Sequence, residues 1–290
     1  MNLTKVDKDP GNMVRQVLHI DCPDEKGLVY RITEVLYKHG LNIVSNQEFV
    51  DATTEHFVMR TAFEGTKAPN GVIRDLEMAL PESANIRRAN IGDRSIIIMA
   101  TKEAHCLGDL LLRYSYGEIP ADIDAVISNH EELRSLTESF NIPFHFVDHE
   151  GLERRDHEEQ IQEVIAQYHS DYIVLAKYMR IFTPEFVAQY NDRIINIHHS
   201  FLPAFVGANP YKQAFKRGVK IIGATAHFVT DDLDEGPIIA QDVLPVNHSY
   251  TAEEMANAGR DVEKTVLAKA VKLVLEERIF IHNNRTIVFE

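Results

Sequence analysis

Tryptophan is absent from this 290-residue chain, and cysteine occurs only twice. Cys22 and Cys106 lie far apart and form no CxxC pair, so the sequence offers no disulfide framework and no thiolate zinc site. That usage fits a reducing compartment, and a cytoplasmic protein is the expectation. No apolar run approaches the roughly 20 residues of a membrane span. Residues 1–12 are polar, lack an apolar signal core, and read as a flexible tail. Basic charge is short as well: 30 Lys and Arg face 44 Asp and Glu, for a formal net charge of −14. Such an acidic surface argues against a nucleic-acid backbone or an anionic membrane as partner. HExxH is missing too, since His130-Glu131-Glu132 and His157-Glu158-Glu159 both lack the second His. There is no internal repeat and no low-complexity segment. What remains is an ordinary globular composition, 44% hydrophobic and 26% charged, long enough for two domains.

The first pattern runs over residues 13–91. Val14–Cys22 alternates as a strand, and Pro23–Gly27 makes a turn. Leu28, Ile32, Val35 and Leu36 recur at helical spacing up to His39-Gly40. Leu41–Val50 and His56–Phe63 read as two strands, Pro69–Leu80 as a helix, and Ile86–Ile91 as a last strand. The order is βαββαβ, a ferredoxin-like arrangement. Asp21–Val29 and Gly40–Ile43 carry a resemblance to the ACT domain, a small-ligand sensor. The resemblance implies an amino-acid effector bound at a subunit interface, with Asp24, Lys26, Gly27, Leu28 and Asn42 as its contacts. Read by themselves, Asp24 and Gly27 are a turn and a helix cap.

After a polar break at Ile91–Arg94 the pattern becomes strands alternating with helices, which sets a second domain over 95–290. Strands are expected at Ser95–Ala100, Ile123–Ser128, Phe144–Val147, Tyr172–Ala176 and Arg193–Ile197, with helices at Cys106–Tyr114, Glu131–Phe140, Asp156–Tyr168 and Pro184–Tyr190. Near-continuous apolar strands predict a mostly parallel sheet covered on both faces, a Rossmann-like α/β fold. Next come a helix at Pro210–Arg217 and two long runs, Lys220–Thr230 and Pro237–Val246, that can pair antiparallel. A helix over Thr251–Glu277 opens on a capping box, and a hairpin is expected around Asn283-Asn284.

The chemistry concentrates in Asn196-Ile197-His198-His199-Ser200-Phe201-Leu202-Pro203. In a strand, Asn196 and His198 share a face and His199 points to the other. Strand ends are where α/β proteins place active sites. Three more pieces accompany this one: Gly223–Val229 with His227, the acidic loop Asp231–Pro237, and the apolar loop Leu175–Phe182. A carboxamide and an imidazole can stabilise a tetrahedral oxyanion, and a carboxylate beside the imidazole favours its cation. Asp234 would raise the His198 pKa in this way, or itself move the proton. An apolar loop containing Tyr178, Met179, Ile181 and Phe182 suits a flat aromatic ring. His199 is expected to pack, and Asp231 reads as a solvated carboxylate.

Together, the four pieces resemble the folate-dependent formyltransferase family from about Arg94 to Val246. The resemblance implies Asn196, His198 and Asp234 as the catalytic trio. His227, His199 and Ser200 would support them. Folate would lie between Tyr178, Met179, Arg180, Ile181, Phe182 and Phe186 on one side and Val229, Thr230 and Asp231 on the other. Family members that formylate a phosphorylated amine hold it with a Gly-Ser-Asn loop. Here that stretch reads Thr101-Lys102-Glu103-Ala104-His105-Cys106-Leu107-Gly108, and Glu103 adds negative charge where a phosphate would sit. Water is then the nucleophile. The layout is similar to the deformylase branch of the family, which converts 10-formyltetrahydrofolate to formate and tetrahydrofolate, supplies formate for purine biosynthesis and forms homo-oligomers. The resemblance implies 10-formyltetrahydrofolate as substrate, no permanently bound cofactor and no metal. The alternatives are transfer to an amine and an amino-acid sensor on a degenerate folate domain.

Overall fold

The computed structural model describes residues 14–65, 71–90, 92, 94–204 and 210–290. The expected tail, 1–12, lies outside them, as do Ile91 and Asp93 at the expected boundary and the first two residues of the helix expected from Pro69. The chain divides into two compact units at Ile91/Gly92.

In the first unit the elements are β1 (Val14–Pro23), α1 (Leu28–Lys38), β2 (Asn42–Asp51), β3 (His56–Gly65), α2 (Val72–Ala79) and β4 (Asn85–Asn90). This is the βαββαβ order. All pairings are antiparallel, in sheet order β2-β3-β1-β4. The helical periodicity of α1 becomes packing: Leu28, Ile32, Val35 and Leu36 are buried against Leu18, Ile20 and Met59 of the sheet. Gly40, at φ +67°, lets the chain leave α1 in the left-handed conformation.

A seven-stranded sheet forms the second unit. Its elements are β5 (Ser95–Ala100), α3 (Ala104–Ser115), β6 (Asp122–Ser128), α4 (Arg134–Glu138), β7 (Phe144–Phe146), α5 (Arg154–Ile165), β8 (Tyr172–Ala176), α6 (Pro184–Gln189), β9 (Ile194–His198), α7 (Pro210–Arg217), β10 (Ile221–Phe228), β11 (Ile238–Pro245), α8 (Ala252–Leu275), and a terminal hairpin β12 (Ile279–His282) and β13 (Arg285–Val288). Strand order is β11-β10-β9-β8-β5-β6-β7. The five strands β9-β8-β5-β6-β7 run parallel, and β10 turns the sheet antiparallel against both β9 and β11. The mostly parallel α/β sheet expected from the apolar runs is thus observed. β5 and β8 bury every residue after their first, as strands covered on both faces must.

One hydrophobic cluster joins the sheet to α3 and α8, and another joins its opposite face to α5 and α6. The α8 helix begins at the capping box: Thr251 Oγ1 accepts from Glu254 N at 3.2 Å, and Glu254 Oε2 accepts from Thr251 N at 2.8 Å. Two helices differ from expectation. The α4 helix covers only Arg134–Glu138, because Leu133 is drawn into the core with a non-helical backbone (φ −97°, ψ 1°). The α5 helix starts at Arg154 and stops at Ile165, where Ala166 caps it. The Asn283-Asn284 turn has two consecutive positive φ angles, +49° and +57°, as a tight hairpin requires. Asn284 Nδ2 donates to the Glu235 carbonyl at 3.0 Å, so this hairpin braces the loop between β10 and β11.

That loop returns through Gly236. A Cβ there would stand 1.8 Å from the Phe228 carbonyl oxygen and 3.4 Å from His227 Nδ1. The first contact is with backbone, so Gly236→Ala must displace the loop. We expect it to destabilise the fold by about 1–3 kcal/mol, the usual range for forced overpacking. Thermal unfolding of the purified variant checks this; an unchanged Tm would mean that the loop moves freely.

Candidate active site

Strand register assembles the polar site. Asn196 and His198 lie on one face of β9, and β10 sets His227 opposite Asn196 and Thr225 opposite His198. Thr225 is fully buried and ties down the chain beyond β9. Its Oγ1 donates to the Ser200 carbonyl at 2.9 Å and accepts from Leu202 N at 3.0 Å and Gln241 Nε2 at 2.9 Å. The loop after β10 then brings Asp234 back over the strand end, with its backbone in the left-handed region (φ +60°).

These groups form a connected network. His227 Nδ1 lies 2.8 Å from the Phe228 carbonyl, which can only accept, so Nδ1 carries the proton. Its Nε2 then presents a lone pair, and Asn196 Nδ2 donates to it at 3.2 Å. This fixes the orientation of the Asn196 carboxamide and leaves its second N–H for the pocket. Asp234 Oδ1 lies 3.2 Å from His198 Nδ1 and 3.7 Å from His227 Nε2. Burial alone would raise the Asp234 pKa. The hydrogen bond from His198, with the charge that imidazole can carry, outweighs it and holds the carboxyl well below the usual range. With Nδ1 on Asp234, His198 Nε2 is one of three buried side-chain atoms with no hydrogen-bond partner among the described residues, beside Arg94 Nε and Arg278 Nε, and His198 alone of the three residues lines the cavity. An unpaired buried polar atom costs about 1–3 kcal/mol, so Nε2 is free to take a reactant as its partner.

The cavity it faces holds about 290 Å³. Asn196, His198, His227 and Asp234 line one end. Tyr178, Met179, Arg180, Ile181 and Phe182 line another side, and Val229, Thr230 and Asp231 a third. Met179 and Ile181 are more than half exposed at the rim, whereas Tyr178 and Phe182 are buried. The loop from Lys177 to Thr183 is pinned at two points. Met179 N donates to Thr101 Oγ1 at 3.0 Å, and Thr183 donates through both N and Oγ1 to the buried Glu158 of α5. Thr183 also caps α6 by accepting from Phe186 N. Stacked rings stiffen the loop: Tyr178 on Phe182 at 5.5 Å, and Phe182 on Phe186 at 4.2 Å.

Several expected site residues sit elsewhere. Phe186 is buried beneath Phe182 and does not line the cavity; its ring supports the ring that does. Ser200 also stays out of the cavity, its Oγ donating to the Ala204 carbonyl. His199 does not point away from His198. Its ring stacks on the His198 ring at 5.1 Å and it lines the cavity, because β9 ends at His198 and strand alternation ends with it. Burial, with Lys177 nearby, pushes the His199 pKa down to about 4, so it is neutral near pH 7. In the first unit, Leu28 is buried in the core and has no surface to offer a ligand. Gly27 takes φ +89° before α1, Asp24 N bonds the Glu55 carbonyl at 2.8 Å, and Asp24, Lys26 and Asn42 are exposed.

Leu175, Lys177, Ile197 and Leu233, which lie within the stretches singled out in the sequence but were given no role of their own there, also line the cavity, as does Val187 from outside them. A lysine directly after the buried run Tyr172–Ala176 was the available signal for Lys177. A metal-ligand geometry does occur among the described residues, at His105, Cys106 and Glu263. It is a poor cation site. The Glu263 oxygens already serve His105, Tyr211 and Lys177, and burial holds the Cys106 thiol pKa far up, away from the thiolate a metal needs.

Comparison with known proteins agrees with this geometry. The model of the formyl transferase family matches residues 94–271. A formyltetrahydrofolate deformylase from Escherichia coli K12 is 58% identical over 278 residues, covering 96% of this chain and 99% of its own length. One from Bacillus subtilis is 44% identical and covers 96% and 95%. The crystal structure of a formyltetrahydrofolate deformylase from Pseudomonas syringae pv. tomato superposes with a TM-score of 0.91 at 38% identity, over 97% of this chain and 95% of that one. A glycinamide ribonucleotide transformylase from Symbiobacterium toebii gives 0.66 at 29% identity, over 69% of this chain and 95% of that one. The chain belongs to the formyl transferase family and, within it, to the formyltetrahydrofolate deformylases.

Proposed function

We propose that this chain hydrolyses 10-formyltetrahydrofolate to formate and tetrahydrofolate, with Asn196, His198 and Asp234 as its catalytic residues. The observation that carries these roles is His198 in the cavity lining, its buried Nε2 unpartnered while Asp234 holds Nδ1. His198 Nε2 takes a proton from water as the oxygen attacks the formyl carbon. The carbonyl oxygen gains charge, and the free N–H of Asn196 donates to it. Asp234 keeps the proton of His198 on Nδ1 and stabilises the imidazolium that forms. His198 then returns the proton to N10 as the C–N bond breaks. Developing charge is met by a fixed amide and a buried ion pair, so no step calls on a metal. His227 acts through Asn196, whose carboxamide it orients.

The pterin ring would lie along Tyr178, Met179, Ile181 and Phe182, facing Val229, Thr230 and Asp231, with Arg180 placed to meet the anionic tail. Residues 95–290 would be the catalytic domain and 13–91 an ACT-type regulatory domain of a homo-oligomer. The βαββαβ order and the exposed turn at Asp24–Gly27 support the second reading, with Lys26 and Asn42 beside the effector. No helix among the described residues is long and apolar enough to cross a membrane.

Incubating the purified chain with 10-formyltetrahydrofolate and no amine should yield tetrahydrofolate and formate in equal amounts. Turnover that appears only when an amine is added would overturn hydrolysis. Asn196→Ala should lower kcat about 10²–10³-fold with little change in folate affinity, as expected for the loss of one oxyanion donor. His198→Ala and Asp234→Asn should each cost at least as much. Steady-state kinetics beside folate binding measured by fluorescence checks all three, and near-normal kcat in any variant removes that residue from the mechanism.

A further inference from the structure

A second buried ionic cluster lies next to the catalytic network, and the steps above do not use it. Glu263 of α8 is only 1% exposed. Its Oε1 accepts from the Tyr211 hydroxyl at 2.6 Å. Its Oε2 meets His105 Nε2 at 2.8 Å and Lys177 Nζ at 3.2 Å. Four separate segments therefore converge on one carboxylate: the start of α3, the loop after β8, α7 and α8. Burial raises the Glu263 pKa, but the hydrogen bond from His105 and the Lys177 charge bring it down to about 2. Lys177 is itself buried and holds a left-handed backbone at φ +62°, which a lysine adopts only when its surroundings enforce it.

Position gives the cluster its meaning. Lys177 lines the same cavity as Asn196 and His198. His199 bridges the two networks, stacked on His198 at 5.1 Å and 6.4 Å from the Tyr211 ring. The cluster also occupies the N-terminal end of α3, where the sequence departs from the loop that cradles a phosphorylated amine. Glu103 precedes α3 there, with Oε2 3.4 Å from Arg260 Nε. A buried carboxylate beside a formyl-transfer centre would attract a protonated amine. In this chain that carboxylate already holds an ammonium of its own.

We propose that the Lys177–Glu263 pair is the specificity determinant that closes the acceptor side of the cavity to amines and leaves water as the nucleophile. The inference rests on the hydrolytic reading given above. Lys177 serves as a tethered stand-in for an acceptor ammonium. Its Nζ, held as an ammonium, has no lone pair and is not itself formylated. Tyr211 and His105 fix the carboxylate so that it cannot turn toward a free amine. Water, which needs no carboxylate to dock, still reaches the formyl carbon. Removing the lysine side chain should free both the space and the carboxylate. A small amine could then attack the formyl carbon. The docked ammonium first gives a proton to His198 Nε2, the new N–C bond then forms as the bond to N10 breaks, His198 passes that proton to N10, and the second N–H proton leaves to solvent, with no redox change.

The full-length Lys177→Gly variant tests this. Glycine suits the left-handed position, and Glu263 keeps its bonds to Tyr211 and His105. Wild type and variant are incubated with 10-formyltetrahydrofolate and increasing methylamine, and formate and N-methylformamide are quantified. Wild type should give formate alone. The variant should give at least about ten-fold more N-methylformamide than wild type, rising with amine, as expected for one freed charge-assisted contact. Adding Glu263→Gln to the variant should abolish that product. Formate alone from Lys177→Gly at every amine concentration overturns the proposal, and so does equal N-methylformamide from wild type. If the glycine variant does not fold, Lys177→Asn, which is too short to reach Glu263 and tolerates the left-handed backbone, carries the same outcomes. A wild type that releases no formate would instead defeat the hydrolytic reading, so the two failures are distinguishable.

Discussion

The antiparallel pairing of Ile221–Phe228 against Ile194–His198 is the constraint on which the site depends. By running backwards, β10 enters opposite His198, places His227 across from Asn196, and ends at Phe228 opposite Ile195, near the start of β9. The following loop must therefore turn back along β9 to bring Asp234 onto His198. The register shift between Ala226 and His227 in the pairing with β11, and the close passage of Gly236 over the Phe228 carbonyl, both serve that return. The geometry of the site is thus a product of strand pairing before it is a product of side-chain packing.

Within that frame, each polar group is fixed by a partner that can play only one part. The Phe228 carbonyl sets the proton on His227, His227 sets the carboxamide of Asn196, and Asp234 sets the proton on His198. Such a chain leaves two groups aimed at the cavity, the second N–H of Asn196 and Nε2 of His198. Preorganisation of this kind matters more than the strength of any one contact, because it avoids reorientation as charge develops. On the opposite wall, Glu158 and Thr101 hold the backbone of the apolar loop, so that its stacked rings present a fixed surface to a flat ligand.

Much of this was legible in the sequence because its physical signals are local. The runs Ser95–Ala100 and Tyr172–Ala176 announce buried parallel strands, and Asn196 and His198 share a face by strand alternation alone. The sequence could not say where alternation stops. His199 was assigned to the far face, yet the strand ends one residue earlier and its ring stacks on His198. Phe186 shows the converse difficulty. The family resemblance implies a folate contact there, but α6 turns it inward beneath Phe182. Lys177, Tyr211, His105 and Glu263 are scattered from residue 105 to residue 263, and no spacing rule joins them. Only tertiary packing does.

The two buried carboxylates, Asp234 and Glu263, show how like groups acquire unlike roles. Both are held below their ordinary pKa range against the cost of burial. Asp234 relies mainly on His198, whose protonation can change during a reaction and whose second ring nitrogen has no hydrogen-bond partner among the described residues. Glu263 is held by three donors at once, the His105 imidazole, the Lys177 ammonium and the Tyr211 phenol, and burial with the neighbouring Glu263 charge pushes the Tyr211 phenol further up. The first arrangement can pass a proton. The second has both carboxylate oxygens taken up by donors from α3, α7 and the loop after β8, so it holds those segments together behind the cavity that Lys177 lines.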